Sequence, residues 1–355
     1  MVLCLTLAYM QGEGGFEGEL KPMRKLIWVV VILAAGWGAI WFAGSKASEA
    51  LLVGWLDDRA AEGWLVNYDD LSTRGFPTRL NSEIRALELA DPETGWAWQA
   101  PLVILQQRPL RADHVTAVLP NEQSFASPFE RLDITSTQIT SDLNLRPSAN
   151  LALDLSETQL RDVTIESTAG WSSQLATGTL VVQRIAGEDQ DYDLEFSAQG
   201  YVPPIGLSAV LDPAGVLPDE IETMRIQGQF AFDRPWDLAA LEVARPQLTQ
   251  IDLQEAQAVW GDMMLRASGA LVVDGQGRPE GEIAIRAENW RAMIDLAANA
   301  GVISPDARSM IERGLGFLAG LSGSPDNLDA PLRFSDGVMF FGPIPIGLAP
   351  NLILR

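Results

Sequence analysis

The sequence contains very little cysteine and histidine. Cys4 and His114 are the only examples of each in 355 residues. Zinc and iron centres need several imidazole or thiolate ligands, so a multi-histidine or thiolate metal site is excluded and no cofactor is expected. Because Cys4 lies near the N-terminus, the rest of the chain is predicted to be stabilised by packing and hydrogen bonds without a disulfide.

Basic residues are also scarce. The chain has 25 Lys and Arg against 47 Asp and Glu, a net charge of -22. This charge would repel nucleic-acid phosphates, so nucleic acid is not an expected partner. With 47% apolar and 20% charged residues, the chain is expected to fold around a real core.

One long segment has no charge at all, from Leu26 to Ala43. At roughly 1.5 Å per residue its 18 residues would span about 27 Å as a helix, close to the thickness of a bilayer core. The sequence therefore predicts a transmembrane anchor within residues 23–45 and a membrane as a partner.

The charges flanking this segment predict its orientation. Three basic residues precede it: Lys21, Arg24 and Lys25. After it come three acidic residues, Glu49, Asp57 and Asp58, and a single basic one, Lys46. The positive-inside rule then predicts a single-pass inner-membrane protein with a cytoplasmic N-terminus and the bulk of the chain in the periplasm.

Two alternatives stay open at this end of the chain. Gly44, Ser45 and Ala47 are small enough for a signal-peptide cleavage site, although the apolar run is longer than the usual signal core. Residues 1–22 are either a cytoplasmic extension or an untranslated stretch, since Met23 followed by two bases would make a natural start.

Beyond the anchor, the apolar periodicity changes from helical to strand-like. Spacings of four predict an amphipathic helix with Ala47, Leu51 and Trp55 on one line and Leu52, Leu56 and Ala60 on the next. From about residue 64 the period becomes two, as in "DYDLEFSA" (191–198). The predicted fold class is mainly β (α+β): an elongated antiparallel sheet of tandem β-meander repeats with covering helices.

Two short segments indicate a duplication. Residues 214–220 read "AGVLPDE" and residues 300–306 read "AGVISPD", and strand-like stretches at 160–198 and 248–287 match in the same order. We therefore divide the exported part into a helix and first β-unit at 46–150, a repeat at 151–240 and a second repeat at 241–355. Asp219 and Asp306 are interpreted as helix starts, and a helix is predicted after Asn289 up to Gly301.

The sequence shows no convergent catalytic site. His114 would have to serve as the base of any Ser-His-Asp triad, and no G-x-S-x-G segment accompanies it. The adjacent acids at 57–58 and 69–70 and the row Asp189, Asp191 and Asp193 are predicted to face solvent. "GQGRPEG" (275–281) is predicted to be a hairpin turn. The Pro-rich segment 342–350 is predicted to close the end of the sheet, with an apolar lip as the alternative.

Five stretches together resemble one bacterial family: "STRGFPTRL" (72–80), "GWAWQAP" (95–101), "WGDMMLRASGALVVDGQGRPEGEI" (260–283), "ENW" (288–290) and "FGPIPIGLAP" (341–350). The family is the proteobacterial domain of unknown function 2125, and the resemblance covers roughly residues 46–355. It implies no activity and no cofactor. The architecture is also loosely similar to AsmA-like and TamB-like envelope proteins, whose grooves are associated with lipid handling.

The sequence favours a non-enzymatic protein whose amphipathic sheet binds lipid or another apolar envelope component. Its predicted ligand groove comprises Leu151, Leu153, Leu155, Trp171, Leu180, Phe196, Trp260 and Leu271. The alternative is a structural protein that docks an envelope protein partner through a sheet edge, and a carboxylate-based hydrolase is a more distant one.

Overall fold

The computed structural model describes residues 20–147, 150–204, 217–242, 244–299, 308–309, 312–316, 320, 326–342 and 344–354. Three helices are bounded within them: α1 (Leu20–Ala61), α2 (Leu238–Glu242) and α3 (Trp290–Asn299). The predicted anchor and the predicted amphipathic helix form one continuous α1, since no proline interrupts residues 26–61. α3 confirms the helix predicted after Asn289.

α1 confirms only part of the predicted helix face. Leu56 is 1% exposed and Leu52 is half-buried as expected, but Leu51 is 75% exposed. Ser45 and Glu49 are covered by the sheet instead, so the buried side of α1 includes two polar residues. Apolar periodicity alone therefore gave the wrong face for Leu51, because polar side chains form part of this contact.

Eighteen strands make up the rest of the described fold: β1 (Leu65–Asn67), β2 (Asp70–Arg74), β3 (Leu80–Asp91), β4 (Trp96–Arg108), β5 (Arg111–Val118), β6 (Glu122–Ala126), β7 (Arg131–Thr135), β8 (Gln138–Leu145), β9 (Leu153–Ser167), β10 (Ser172–Arg184), β11 (Asp191–Val202), β12 (Ile221–Phe232), β13 (Leu248–Trp260), β14 (Met263–Val273), β15 (Pro279–Glu288), β16 (Asn327–Ser335), β17 (Val338–Phe341) and β18 (Ile344–Leu348).

All eighteen strands belong to a single antiparallel sheet. β1 and β2 share one position beside β3, β5 and β6 share one beside β4, and β7 and β8 share one beside β9. The strands thus fill fifteen positions, and from β9 onward each pairs with the next in the chain. At about 4.8 Å between neighbours, the sheet measures about 65 Å across its strands. The predicted mainly β fold is confirmed.

Glycines mark a close approach of backbones near the middle of the sheet. A Cβ on Gly228 would lie 2.6 Å from the Asp252 carbonyl oxygen, and one on Gly269 would lie 2.3 Å from the Glu282 carbonyl oxygen. Gly269 also has a φ of +152°. Interior strand glycines of this kind mark bends or bulges, and a register shift does occur between Leu253 and Ala256.

The segments behind the predicted duplication are only partly described. Residues 300–306 and 214–216 lie outside the described residues, while 160–198 falls on β9 to β11 and 248–287 on β13 to β15. The predicted helix start at Asp219 is wrong, because residues 219–220 form a bend that leads directly into β12. The duplication itself stays a prediction.

Candidate functional site: an apolar sheet face

Directly paired residues on neighbouring strands point to the same face of a sheet, so the register traces each face from end to end. One unbroken series of pairs crosses twelve strands. It contains Ser82, Leu105, Ala117, Ser141, Thr158, Leu180, Phe196, Ile226, Ala256, Ala267, Ile285 and Ala330. We call the face that carries this series the apolar face.

The next series of paired residues on the apolar face is also mostly hydrophobic. It contains Leu80, Gln107, Val115, Leu143, Ser156, Val182, Leu194, Gly228, Leu253, Gly269, Ile283, Leu332 and Phe341. Gln107 and Ser156 are its only members with polar side chains. Hydrophobic side chains therefore continue across the sheet from β3 to β17.

The opposite face is polar. A matching series there contains Thr179, Ser197, Arg225, Gln257, Arg266, Arg286 and Asp329. A depression of about 410 Å³ lies beside this series, and its lining combines charged Arg266, Arg286 and Asp329 with apolar Ala267 and Ile285. The described sheet is thus amphipathic over most of its width.

The anchor helix packs on the apolar face at its first end. Leu56 of α1 joins a core cluster with Ile84 and Val103. Beside it, the Glu49 carboxylate accepts the backbone N–H of Thr73 at 2.9 Å, and the Thr73 and Ser82 hydroxyls lie 2.9 Å apart. The hydrogen bond from Lys46 lowers the pKa of Glu49, so this carboxylate is ionised where the helix meets the sheet.

The other end of the apolar face carries a dry core. Trp290 and Ile294 of α3 are 1% and 7% exposed, and they pack with Leu315, Leu328 and Ala330. Ala330 is the last residue of the first series, which begins at Ser82 beside α1. The same face therefore extends from the anchor helix to α3.

The C-terminal segment also returns over this end of the sheet. After β18, Ala349 packs against the cluster of Leu271, Ile283 and Phe334. The Leu352 N–H then donates to the Gly277 carbonyl, and Leu354 exchanges two hydrogen bonds with the Gln247 side chain. Among the described strands β18 pairs only with β17, as expected if the Pro-rich segment closes the sheet. The backbone contact between Asp274 and Arg278 confirms the hairpin turn predicted at 275–281.

Between the two covered ends, the apolar side chains are only half-buried. Leu180, Leu194 and Phe196 are in this class, and Ile226 is 37% exposed. Tyr192 is different, since its hydroxyl accepts the Trp236 backbone N–H at 3.0 Å and burial raises its pKa. The described central strands thus present partly accessible apolar side chains.

The residues predicted to line a groove do not share one face. Leu180, Phe196 and Leu271 lie on the apolar face. Leu153 and Leu155 begin β9 on the opposite face, as the pairing of Leu155 with Gln183 shows. The others lie at strand ends or outside strands: Leu151 with a φ of +48°, Trp171 donating to the Glu130 carboxylate and Trp260 donating to the Pro218 carbonyl.

Three residues outside the predicted groove also continue the apolar face through β11 and β12: Leu194, Met224 and Ile226. Strict alternation in "MRIQGQF" (224–230) was the pattern that could have identified the last two. Their position beside Phe196 follows only from the register.

The residues with catalytic chemistry are dispersed. His114 lies beside Asn144 and 4.0 Å from Asp142, with its side chain 35% exposed. Asp189 pairs with Arg146, and the acids at 57–58 and 69–70 are exposed as predicted. Within the described ranges, no group of three or more His, Cys, Asp or Glu is arranged to hold a metal ion.

The comparison with protein families finds one family for this chain. A family described as an uncharacterized protein conserved in bacteria (DUF2125) matches residues 41–350. Comparisons with curated proteins and with solved structures find no match. Since the matched range includes the end of α1 and nearly the whole sheet, the chain belongs to the DUF2125 family of uncharacterized bacterial proteins.

Proposed function

We propose that this protein is anchored in the inner membrane by α1 and binds the acyl chains of a membrane lipid on its apolar face, in the periplasm and without catalysis. The observation that carries the proposal is the continuity of that face. It begins where α1 packs on β3 and passes through half-buried Leu180, Phe196 and Ile226 before α3 covers it. A lipid leaving the bilayer beside α1 would meet apolar side chains along this path.

The described helix supports the anchor in this proposal. Among the described residues, α1 contains one segment long and apolar enough to cross a membrane, and the side chains of Leu26 to Leu33 are 48% to 66% exposed. This fits a single-pass membrane anchor or a signal anchor. Retention of the helix is favoured by the packing of Leu56 and by hydrogen bonds from Trp37 and Trp41 to residues 77 and 79.

Site-specific photo-crosslinking in the full chain tests the lipid proposal. A benzophenone amino acid replaces Ile226 on the apolar face or, as the matched control, Gln227 on the polar face of the same strand. With the protein in a bacterial inner membrane, we expect labelled phospholipid to crosslink at position 226 and not at 227. Equal labelling at both positions, or none at either, would refute lipid binding by this face.

One observation supports the structural alternative. β18 pairs only with β17 among the described strands, and Ile346 and Leu348 on it are 42% and 82% exposed. Pro345 removes one hydrogen-bond donor from this edge, which limits strand addition. A protein crosslink from a benzophenone at Leu348, together with no lipid at position 226, would favour partner docking over lipid binding.

A further inference from the structure

Residues 74–79, "RGFPTR", comprise the last residue of β2 and the loop that connects it to β3, and they lie against the apolar segment of α1. Its contacts are specific. The Trp37 indole N–H donates to the Pro77 carbonyl and that of Trp41 to the Arg79 carbonyl, each at 2.7 Å. The Phe76 ring packs edge-on to Trp41 with 5.5 Å between ring centroids.

Both tryptophans belong to the uncharged run that ends at Ala43. At 1.5 Å per residue, Trp41 and Trp37 lie about 3 Å and about 9 Å inside that end of the run. If α1 crosses the bilayer, the loop bonded to these residues lies at the same depth, within the outer boundary of the membrane.

The backbone of the loop is suited to this environment. Non-helical backbone at membrane depth needs its polar groups satisfied by the protein. The carbonyls of Pro77 and Arg79 accept the two indoles, the Gly75 carbonyl accepts the Arg79 N–H at 2.9 Å, and Pro77 has no N–H. Four polar backbone groups of this loop are therefore satisfied within the protein.

The side chains of the loop match the interface between lipid tails and headgroups. Phe76 is 59% exposed, and Arg74 and Arg79 are exposed without an ion pair to any described residue. An aromatic ring between two arginines can enter the acyl region while the guanidinium groups reach lipid phosphates.

We propose that residues 74–79 form a second membrane contact, in which Phe76 inserts into the outer leaflet of the inner membrane while Arg74 and Arg79 bind anionic phospholipid headgroups. This inference rests on the proposed anchor. It holds the first strands of the sheet directly at the membrane surface, beside the point where α1 meets the apolar face.

A fluorescent depth probe tests the contact. The full chain with Cys4→Ser and Phe76→Cys is labelled with the environment-sensitive dye NBD and reconstituted in vesicles of phosphatidylethanolamine and phosphatidylglycerol. The matched control is Phe129→Cys, because Phe129 is also a loop phenylalanine next to a proline and is 94% exposed. Thr78→Cys provides a second probe in the loop if Phe76→Cys does not fold.

We expect blue-shifted emission and strong quenching by lipids with a doxyl group on the acyl chain at position 76, and water-like emission without quenching at position 129. A probe at Ile32, within α1, separates the two proposals. Quenching at 32 without quenching at 76 and 78 would overturn the loop contact alone. Water-like emission at 32 would overturn the anchor and the loop contact together.

The proposed binding of anionic headgroups by Arg74 and Arg79 is tested by comparing two lipid compositions. We expect Arg74→Gln with Arg79→Gln to reduce acyl-chain quenching at position 76 in vesicles containing phosphatidylglycerol. In vesicles of phosphatidylcholine alone, the same double substitution should have a much smaller effect, because the anionic headgroup is absent. An equal loss of quenching in both lipids would overturn the role of the anionic headgroup.

Discussion

The packing of α1 on the sheet gives a sharp prediction from two leucines five residues apart. Leu56 is 1% exposed and packs with Ile84, Leu87 and Val103, whereas Leu51 is 75% exposed. Leu56→Ala removes buried methyl groups and leaves a cavity, which costs about 2 to 5 kcal/mol. Leu51→Ala removes a side chain already in contact with solvent, so its cost should stay within about 0.5 kcal/mol.

Guanidinium unfolding of the full chain in mild detergent, followed by far-UV circular dichroism, measures both costs. For Leu56→Ala, a loss of about 3 kcal/mol, near the middle of the expected range, would also lower the melting temperature of a chain this large by about 5 °C. The two substitutions have the same chemistry in the same helix, so helix propensity cancels in the comparison. Equal losses for the two variants would refute the assigned helix face.

Two further predictions concern the same frame. Glu49→Ala should cost about 1 to 3 kcal/mol, because the nearly buried N–H of Thr73 loses its acceptor. Because the folded-state pKa of Glu49 is lowered, its ionised form stabilises the fold at pH values above the ordinary carboxyl range. Glu49→Gln should therefore have a lower free energy of unfolding than the wild-type chain at neutral pH. In acid titrations this difference should shrink as the pH falls through the carboxyl range. Gly269→Ala should lower the free energy of unfolding by more than about 2 kcal/mol, because its Cβ would lie 2.3 Å from the Glu282 carbonyl oxygen. Gly275 has open space around it, so Gly275→Ala should leave the melting temperature nearly unchanged.

The type of structure could be predicted where one physical effect dominates the sequence pattern. The uncharged run of 18 residues determines an apolar helix, and alternation in 191–198 determines a half-buried strand. The prolines of 342–350 argue against an interior strand, and among the described strands β18 pairs with β17 only. Each of these predictions needs only local information.

The candidate site depended on register, which local patterns do not contain. Leu153 and Leu155 alternate as regularly as Leu194 and Phe196, yet β9 pairs Leu155 with Gln183 and places it on the polar face. A shift of one residue would reverse every side chain of that strand. Leu51 was misplaced for a related reason, since a polar contact of Glu49 with Thr73 sets the rotation of α1 on the sheet.

Both ends of the apolar face are covered by packed apolar clusters, and this bears on where the proposed lipid would bind. At the α3 end, Trp290 and Ile294 form a cluster whose opening would expose large apolar area to water. At the α1 end, Leu56 is buried with Ile84 and Val103, and the Glu49 carboxylate adds a hydrogen bond from the Thr73 N–H that joins α1 to β2. Opening either end would therefore cost apolar burial, whereas Leu180 and Phe196 between them are already partly accessible. If the apolar face binds lipid as proposed, the acyl chains should contact these central strands, with α1 and α3 covering the two ends.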